Sequence, residues 1–260
     1  MRTFKLTVAY EGTRYFGWQV QPNQPTVQAQ LQKAIQEVVS QPISVVGSGR
    51  TDSGVHALGQ VVSCCLPWKS SESSLGLALN TKLPPDITVC ESVEVVDGFH
   101  AIHDAVRKCY RYQLQTMGHS SPFERRYRWR LRKHLNLDLM QEAANLLVGE
   151  KDFAAFQAAG SERKSTVRNV FSCSVFRQAG SDYGDADRIA IEIEANGFLY
   201  NMVRNIVGSL VEVGSGKKDF DWISTVLSAK DRTLAGPTAP SHGLFLLRVD
   251  YPERIYVKVD

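Results

Sequence analysis

The order in which two kinds of apolar pattern follow one another most constrains the fold. Residues 3–9 alternate between apolar and polar side chains, which is typical of a half-buried strand. After Thr26, a plausible helix N-cap, apolar residues recur at the spacing of an amphipathic helix. Continued to residue 96, the patterns predict the order β-α-β-β-α-β. The predicted elements are strands at 3–9, 43–46, 60–65 and 87–96, a helix after Thr26 and a second helix at 71–80.

The remainder of the chain repeats this order without an evident sequence repeat. Asn136 is predicted to cap a helix that Gly149 ends, and 178–187 is predicted to be a polar loop. We therefore predict an α+β fold of two ferredoxin-like halves, residues 1–105 and 106–260, whose strands form an extended antiparallel sheet with helices on one face. The other predicted elements are strands at 109–116, 170–176, 188–195 and 244–251 and helices at 200–213 and 220–227.

Composition excludes several classes of protein. The five cysteines include no CxxC pair, which argues against a disulfide framework and a thiolate zinc site. The chain has 30 Lys and Arg against 27 Asp and Glu, so a nucleic-acid partner is not demanded by its net charge of +3. No apolar run reaches the ~18 residues of a membrane span, and the alternating N-terminus lacks the apolar core of a signal peptide. We expect a cytoplasmic protein.

The most informative segment is GSGRTDSGVHALGQV, residues 47–61, which joins two predicted strands. Its four glycines permit positive φ angles and a close approach of the backbone to a ligand, and Arg50, Asp52 and His56 lie between them. A connection this long is more often functional than not. A surface loop with solvated charges is the alternative. A nucleotide-binding P-loop is disfavoured because Val55-His56 replace its Lys-Ser/Thr pair.

The same segment resembles the signature of the TruA-type tRNA pseudouridine synthases. Further similarity runs nearly from end to end, in YEGTRYFGWQVQ, LPPDI, GFHA, YRYQL, NMVRNIVGSLVEVG, AKDRTLAGPTAP and GLFLLRVDYP. The resemblance implies an isomerase that converts uridine to pseudouridine at positions 38, 39 and 40, in the anticodon stem-loop of tRNAs. It also implies a homodimer, no cofactor, and an active cleft between the two half-sheets.

The resemblance assigns roles to four residues of this sequence. Asp52 matches the catalytic aspartate, and Arg50 matches the arginine thought to help hold the nucleotide out of its stack. Tyr110 matches the aromatic residue that lies against the target base, and Arg204 matches the arginine that pairs with the aspartate. The family commonly has an arginine where this chain has Ile102, so one presumed RNA contact has no counterpart there.

A basic and aromatic run, residues 125–134, contains six Lys and Arg residues and no acidic residue. It could form a track for RNA phosphates, or it could be an edge strand whose charges deter aggregation. Both interpretations are left open. No Asp, Glu or Cys lies at a convincing ligand spacing from the histidines, so a metal site is not expected.

Two other functions compete with the isomerase. A non-catalytic RNA-binding module would fit two ferredoxin-like halves, but the chain lacks the aromatic RNP-type sequence of RRM domains. A carboxylate-dependent hydrolase would need a second acid near Asp52, and the loop holds only one. The sequence thus favours the isomerase, and it leaves open whether Asp52 attacks C1′, attacks the base or abstracts a proton.

Overall fold

In the computed structural model, the structure describes residues 1–119, 121–158, 165–179 and 187–257. These residues form ten β-strands and five α-helices, so the fold is mixed α and β. In chain order the elements are β1 (Arg2–Tyr10), α1 (Val27–Val39), β2 (Val46–Gly47), β3 (His56–Leu66), α2 (Glu72–Asn80), β4 (Ile87–Glu94), β5 (Arg107–Thr116), β6 (Trp129–Leu131), α3 (Leu137–Asn145), β7 (Gly149–Asp152), β8 (Val167–Arg177), β9 (Asp187–Ala195), α4 (Met202–Gly214), α5 (Trp222–Ala229) and β10 (Leu244–Asp250).

The chain divides into two compact units. The first comprises Met1–Lys108 together with Phe245–Asp260, and the second comprises Cys109–Leu244. The last strand, β10, thus groups with the first unit, although the sequence assigned it to the second half. Among the described residues, none of the helices has the length and hydropathy needed to cross a bilayer.

The first unit is built around β1 at the centre of its sheet. The strand order is β4-β1-β3-β10, in which β1 runs antiparallel to both neighbours and β10 runs parallel to β3. Phe4, Leu6 and Val8 of β1 are fully buried, as the alternation predicts. Each such side chain contributes roughly 1.5–3 kcal/mol when it leaves water. The order β-α-β-β-α-β predicted for this part of the chain is the observed order of β1 to β4.

Helix α1 begins where the sequence predicts, but its first turn is held differently. Thr26 is the N-cap residue, yet its buried hydroxyl makes no hydrogen bond. Instead the backbone N–H groups of Val27 and Gln28 donate to the carbonyls of Gly17 and Trp18, at 3.2 and 3.0 Å. These carbonyls accept hydrogen bonds from N–H groups of the first helical turn, which a capping side chain would otherwise bind. As a result, α1 is fastened to the segment that follows β1.

The second unit contains two short strands that the sequence patterns did not reveal. Its strand order is β5-β9-β8-β7, and β6 pairs in parallel with β5. Gly149, predicted to end α3, instead opens β7 with a φ of +100°, because the helix has already ended at Asn145. Asn136 does cap α3, accepting a hydrogen bond from the Leu139 N–H at 3.1 Å. Residues 180–186 of the predicted polar loop lie outside the described residues.

Candidate active site

The loop between β2 and β3 carries Asp52 and Arg50 in the first unit. It is shorter than the sequence suggests, because β3 begins at His56 rather than at residue 60. The Val55 N–H donates to the Asp52 carbonyl at 3.1 Å, and Gly54 has a φ of +76°. This is the place where a type II turn requires a residue of positive φ. Asp52 is half-buried at the start of this turn, and Arg50 is exposed.

Residues 10–18, from the end of β1 onward, hold this loop in place. The Trp18 N–H donates to the Thr51 carbonyl at 3.0 Å, and the Gly54 N–H donates to the Tyr15 carbonyl at 3.3 Å. The hydroxyls of Tyr10 and Thr51 share a buried hydrogen bond of 2.8 Å. The residues on both sides of Asp52 are therefore fixed by one neighbouring segment.

This close approach requires glycine at position 17. Gly17 has a φ of +89°, and a Cβ atom on it would lie 2.6 Å from the Thr51 carbonyl oxygen. No side chain fits at that distance, and an L-residue rarely adopts that backbone conformation. The motifs YEGTRYFGW and GRTDSGVHA therefore interlock directly beside Asp52.

The other end of the loop is held by two polar side chains. Lys108 donates from Nζ to the Ser48 carbonyl at 2.6 Å, and Gln60 donates from Nε2 to the Gly49 carbonyl at 2.8 Å. Gln60 is fully buried and accepts a hydrogen bond from the Ser48 hydroxyl at 2.6 Å. The carbonyls of the two residues before Arg50 are both hydrogen-bonded. The backbone from which the Arg50 side chain extends is therefore fixed.

His56 has a structural role next to this loop. It is buried, and its Nδ1 accepts a hydrogen bond from the Gly12 N–H at 3.0 Å. Glu11 lies 3.8 Å from the same nitrogen. An Nδ1 that accepts from a backbone N–H carries no proton, so the neutral imidazole suits this environment better than an ion pair with Glu11. The ring also stacks on Phe245, with 4.7 Å between the ring centroids.

The second unit carries the other two residues of the predicted site. Tyr110 on β5 is buried, and its ring meets Phe198 edge to face, with the centroids 5.1 Å apart. Arg204 in the first turn of α4 is half-buried. It donates from Nε to the Ala239 carbonyl at 2.7 Å and from Nη1 to Asn201 Oδ1 at 2.9 Å. These two hydrogen bonds fix the plane of the guanidinium.

Gly208 lies one turn after Arg204 on the same helix. A Cβ atom on Gly208 would lie 1.6 Å from the Pro237 carbonyl oxygen, so the backbone of residues 237–239 packs directly on α4. The Ala239 N–H also donates to the Arg204 carbonyl at 3.1 Å. Gly208 therefore allows the segment that orients Arg204 to reach the helix.

Comparison with known proteins identifies the family. Residues 6–104 and 143–252 match the family described as tRNA pseudouridine synthase. The chain is 45% identical over 251 residues to tRNA pseudouridine synthase A of Thermoanaerobacter sp. strain X514, covering 96% of this chain and 100% of that protein. It is 43% identical over 254 residues to tRNA pseudouridine synthase A of Limosilactobacillus reuteri strain DSM 20016, covering 96% and 97%. The chain belongs to the tRNA pseudouridine synthase family.

A third relative gives the same result. The Myxococcus xanthus protein named tRNA pseudouridine synthase A is 40% identical over 251 residues, covering 96% of this chain and 92% of that protein. A solved Cbf5-Nop10-Gar1 complex matches 89% of this chain and 69% of its own at 11% identity, but its TM-score of 0.30 is too low for a structural comparison. Family membership makes the protein an isomerase of uridine in tRNA.

In this synthase, sequence reasoning missed the residues that hold the Asp52 loop. Tyr10, Thr51, Gln60 and Lys108 act through contacts between segments that are far apart in the chain. One signal was available for Gln60, which is an amide side chain in the mostly apolar segment GQVVSCC. A fully buried polar side chain in a strand normally has a specific hydrogen-bond partner.

The basic run of the synthase is partly strand, and several of its charged side chains are exposed. Its residues 129–131 form the short strand β6, and Arg128 bonds Glu124 and Gln178 at 3.3 and 2.6 Å. Arg128 is therefore a structural residue. The arginines of the run that are exposed are Arg125, Arg126, Arg130 and Arg132. Within the described residues, no group of three His, Cys, Asp or Glu side chains is arranged to hold a metal ion.

Proposed function

We propose that this enzyme converts uridine to pseudouridine at positions 38, 39 and 40 of the tRNA anticodon stem-loop, with Asp52 as the catalytic carboxylate and without a cofactor. The observation that supports this most is the anchored loop. Asp52 begins a tight turn whose flanking residues are bound by residues 10–18, so a carboxylate is presented from a rigid backbone. A fixed catalytic group avoids the entropic cost of finding its position in each turnover.

The chemistry is within reach of one carboxylate. Pseudouridine formation breaks the bond between ribose C1′ and base N1, turns the base, and joins C1′ to C5. The proton on C5 leaves and N1 is protonated, so atoms and electrons balance without a donor or an oxidant. An aspartate can act as the nucleophile or as the base in such a sequence.

The other three residues would bind and position the substrate. Arg50 is exposed on the same loop as Asp52, where it can reach a displaced nucleotide. Tyr110 would stack on the target base, and its edge-to-face contact with Phe198 fixes the orientation of the Tyr110 ring. Arg204 would bind Asp52, and its guanidinium is already oriented by Ala239 and Asn201. The pairing of Arg204 with Asp52 rests on the family resemblance.

We further propose that the exposed arginines of the run 125–134 bind tRNA phosphates. The run contains no acid, and Arg125, Arg126, Arg130 and Arg132 are exposed. Lys and Arg side chains that neutralise phosphates supply much of the affinity for nucleic acids. A homodimer, a cytoplasmic location and ferredoxin-like topology in both units also belong to this proposal. The resemblance supports the dimer, and the element order of the first unit supports the topology.

The proposal is tested with tRNA transcripts that carry tritium at uridine C5, because isomerisation releases this label to water. Transcripts in which residues 38, 39 and 40 are all cytidine should release nothing. Asp52→Asn should abolish release but keep tRNA binding, since affinity comes mainly from backbone contacts. Asp97→Asn, an exposed aspartate of the same unit, is the matched control and should react normally. Substantial release by Asp52→Asn would overturn the role of that residue.

A further inference from the structure

A recess lies beside the loop that carries Asp52, within the first unit. Its volume is about 250 Å³. The residues that matter to its shape are Trp18, Val46, Gly47, Gly49, Arg50 and Ile102. We call this recess the Arg50 cavity. Arg50 lines this cavity and also belongs to the loop that carries Asp52. The cavity itself has no part in the function proposed above.

The floor of the Arg50 cavity is apolar and rigid. Trp18 is only 2% exposed, and its indole lies so close to Gly47 that a Cβ atom there would be 2.5 Å from indole Cε2. Gln28 also lines the cavity, but its amide accepts from the Val20 N–H at 3.0 Å and donates to the Val45 carbonyl at 3.1 Å. The polar atoms of Gln28 are thus engaged by the protein, and the lining that a ligand can touch is part apolar and part polar.

The rim combines an apolar side chain with a cation. Ile102 is 47% exposed, and Arg50 is exposed across the cavity mouth. Ile102 therefore gives the rim an apolar side chain. A flat, apolar group that carries an anion next to it would match both features. A nucleobase attached to a phosphate has this chemistry.

Size and position narrow the choice further. Small-molecule sites usually measure about 300–1,000 Å³, so a cavity of about 250 Å³ suits one base rather than a whole nucleotide. Arg50 and Asp52 are two residues apart, a backbone distance of at most about 7 Å. A base in this cavity and a uridine at Asp52 would then be close enough to belong to neighbouring nucleotides.

We propose that the Arg50 cavity receives the base of a nucleotide next to the target uridine, while Arg50 binds the phosphate beside it. This inference rests on the proposed role of Asp52. Unstacking a neighbouring base costs free energy, which its binding in the cavity would offset, and it leaves the target uridine with one stacking partner fewer. The loop thus binds two nucleotides, one at the carboxylate and one in the cavity.

The test uses full-length tRNA with a single uridine among positions 38, 39 and 40. In the altered transcripts, the nucleotide directly 5′ or directly 3′ of this uridine is abasic. Single-turnover release of tritium is measured against enzyme concentration for the wild-type protein, Ile102→Trp and Val106→Trp. Trp at position 102 should fill the cavity mouth. Val106 is 50% exposed in the same unit and does not line the cavity, so Val106→Trp is the matched control. Ile102→Val keeps the apolar rim.

For wild type, Val106→Trp and Ile102→Val, we expect the abasic site on one side to raise the half-saturating concentration about tenfold, as for the loss of one stacked base. For Ile102→Trp, intact and abasic tRNA should react alike. Equal behaviour of intact and abasic tRNA with wild type would overturn the proposal, as would a full penalty in Ile102→Trp. Failure of wild type to release tritium from intact tRNA would instead refute the proposed function itself.

Discussion

The hydrogen bond between Tyr10 and Thr51 is expected to support both stability and turnover. The Tyr10 hydroxyl is buried against Thr51 and Gln60, and this burial raises the pKa of Tyr10 above its usual range. Tyr10→Phe keeps the aromatic ring but removes the hydroxyl, so Thr51 and Gln60 each lose a hydrogen-bond partner. Leaving a buried partner unsatisfied costs about 1–3 kcal/mol. We expect Tyr10→Phe to lower the free energy of unfolding by that amount.

The magnitude can be measured in two ways. Urea unfolding should show a lower midpoint at an unchanged m-value, because the surface exposed on unfolding does not change. The Tm should fall by about 2–4 °C for each kcal/mol in a chain of this size. Tyr256→Phe is the control, since Tyr256 is 39% exposed and its hydroxyl accepts a hydrogen bond from Lys5 Nζ at 3.3 Å. Its stability should change by less than about 0.5 kcal/mol.

A double-variant cycle separates this hydrogen bond from simple damage to packing. Thr51→Val removes the other hydroxyl, and replacing both partners by apolar groups should cost much less than the sum of the two single changes. Because Thr51 adjoins Asp52, Tyr10→Phe should also slow single-turnover tritium release, whereas Tyr256→Phe should not. If Tyr10→Phe is as stable and as active as Tyr256→Phe, the hydroxyl does not hold the loop and the reasoning fails.

Three further outcomes are expected. Arg204→Lys keeps a charge but loses the planar, two-pronged geometry, so single-turnover release should fall clearly, and Arg204→Ala should fall further; wild-type rates in both would make Arg204 an ordinary surface residue. Gly208→Ala should destabilise the protein by about 1–3 kcal/mol in thermal unfolding because its Cβ would meet the Pro237 carbonyl, whereas the exposed Ser224→Ala should change little. Turnover with prefolded tRNA should persist in excess chelator, and a loss restored by only one transition metal would contradict the absence of a metal cofactor.

Local patterns predicted the elements well where burial follows a simple period. The alternation in β1 and the apolar stripe of α4 both correspond to buried side chains, including Phe4 and Leu210. The patterns failed for β6 and β7, which have three and four residues and are too short to show a period. They also failed at Thr26, because the carbonyls that replace its capping bond come from residues 17 and 18. When a distant backbone segment takes the place of a capping side chain, the sequence around the helix start does not indicate it.

The residues of the site were predicted by resemblance, whereas the contacts that hold them could be learned only from the structure. The loop before β3 has eight residues, 48–55, and a loop of this length is not rigid by itself. Its conformation is fixed because backbone carbonyls at 48, 49 and 51 are bound by Lys108, Gln60 and Trp18. Two of these donors are side chains. Substituting either one removes an anchor of the loop and leaves the backbone hydrogen bonds between the strands intact. The first unit can therefore position Asp52 with its own residues, and substitutions at Gln60 or Lys108 would act on catalysis through the loop rather than through contact with tRNA.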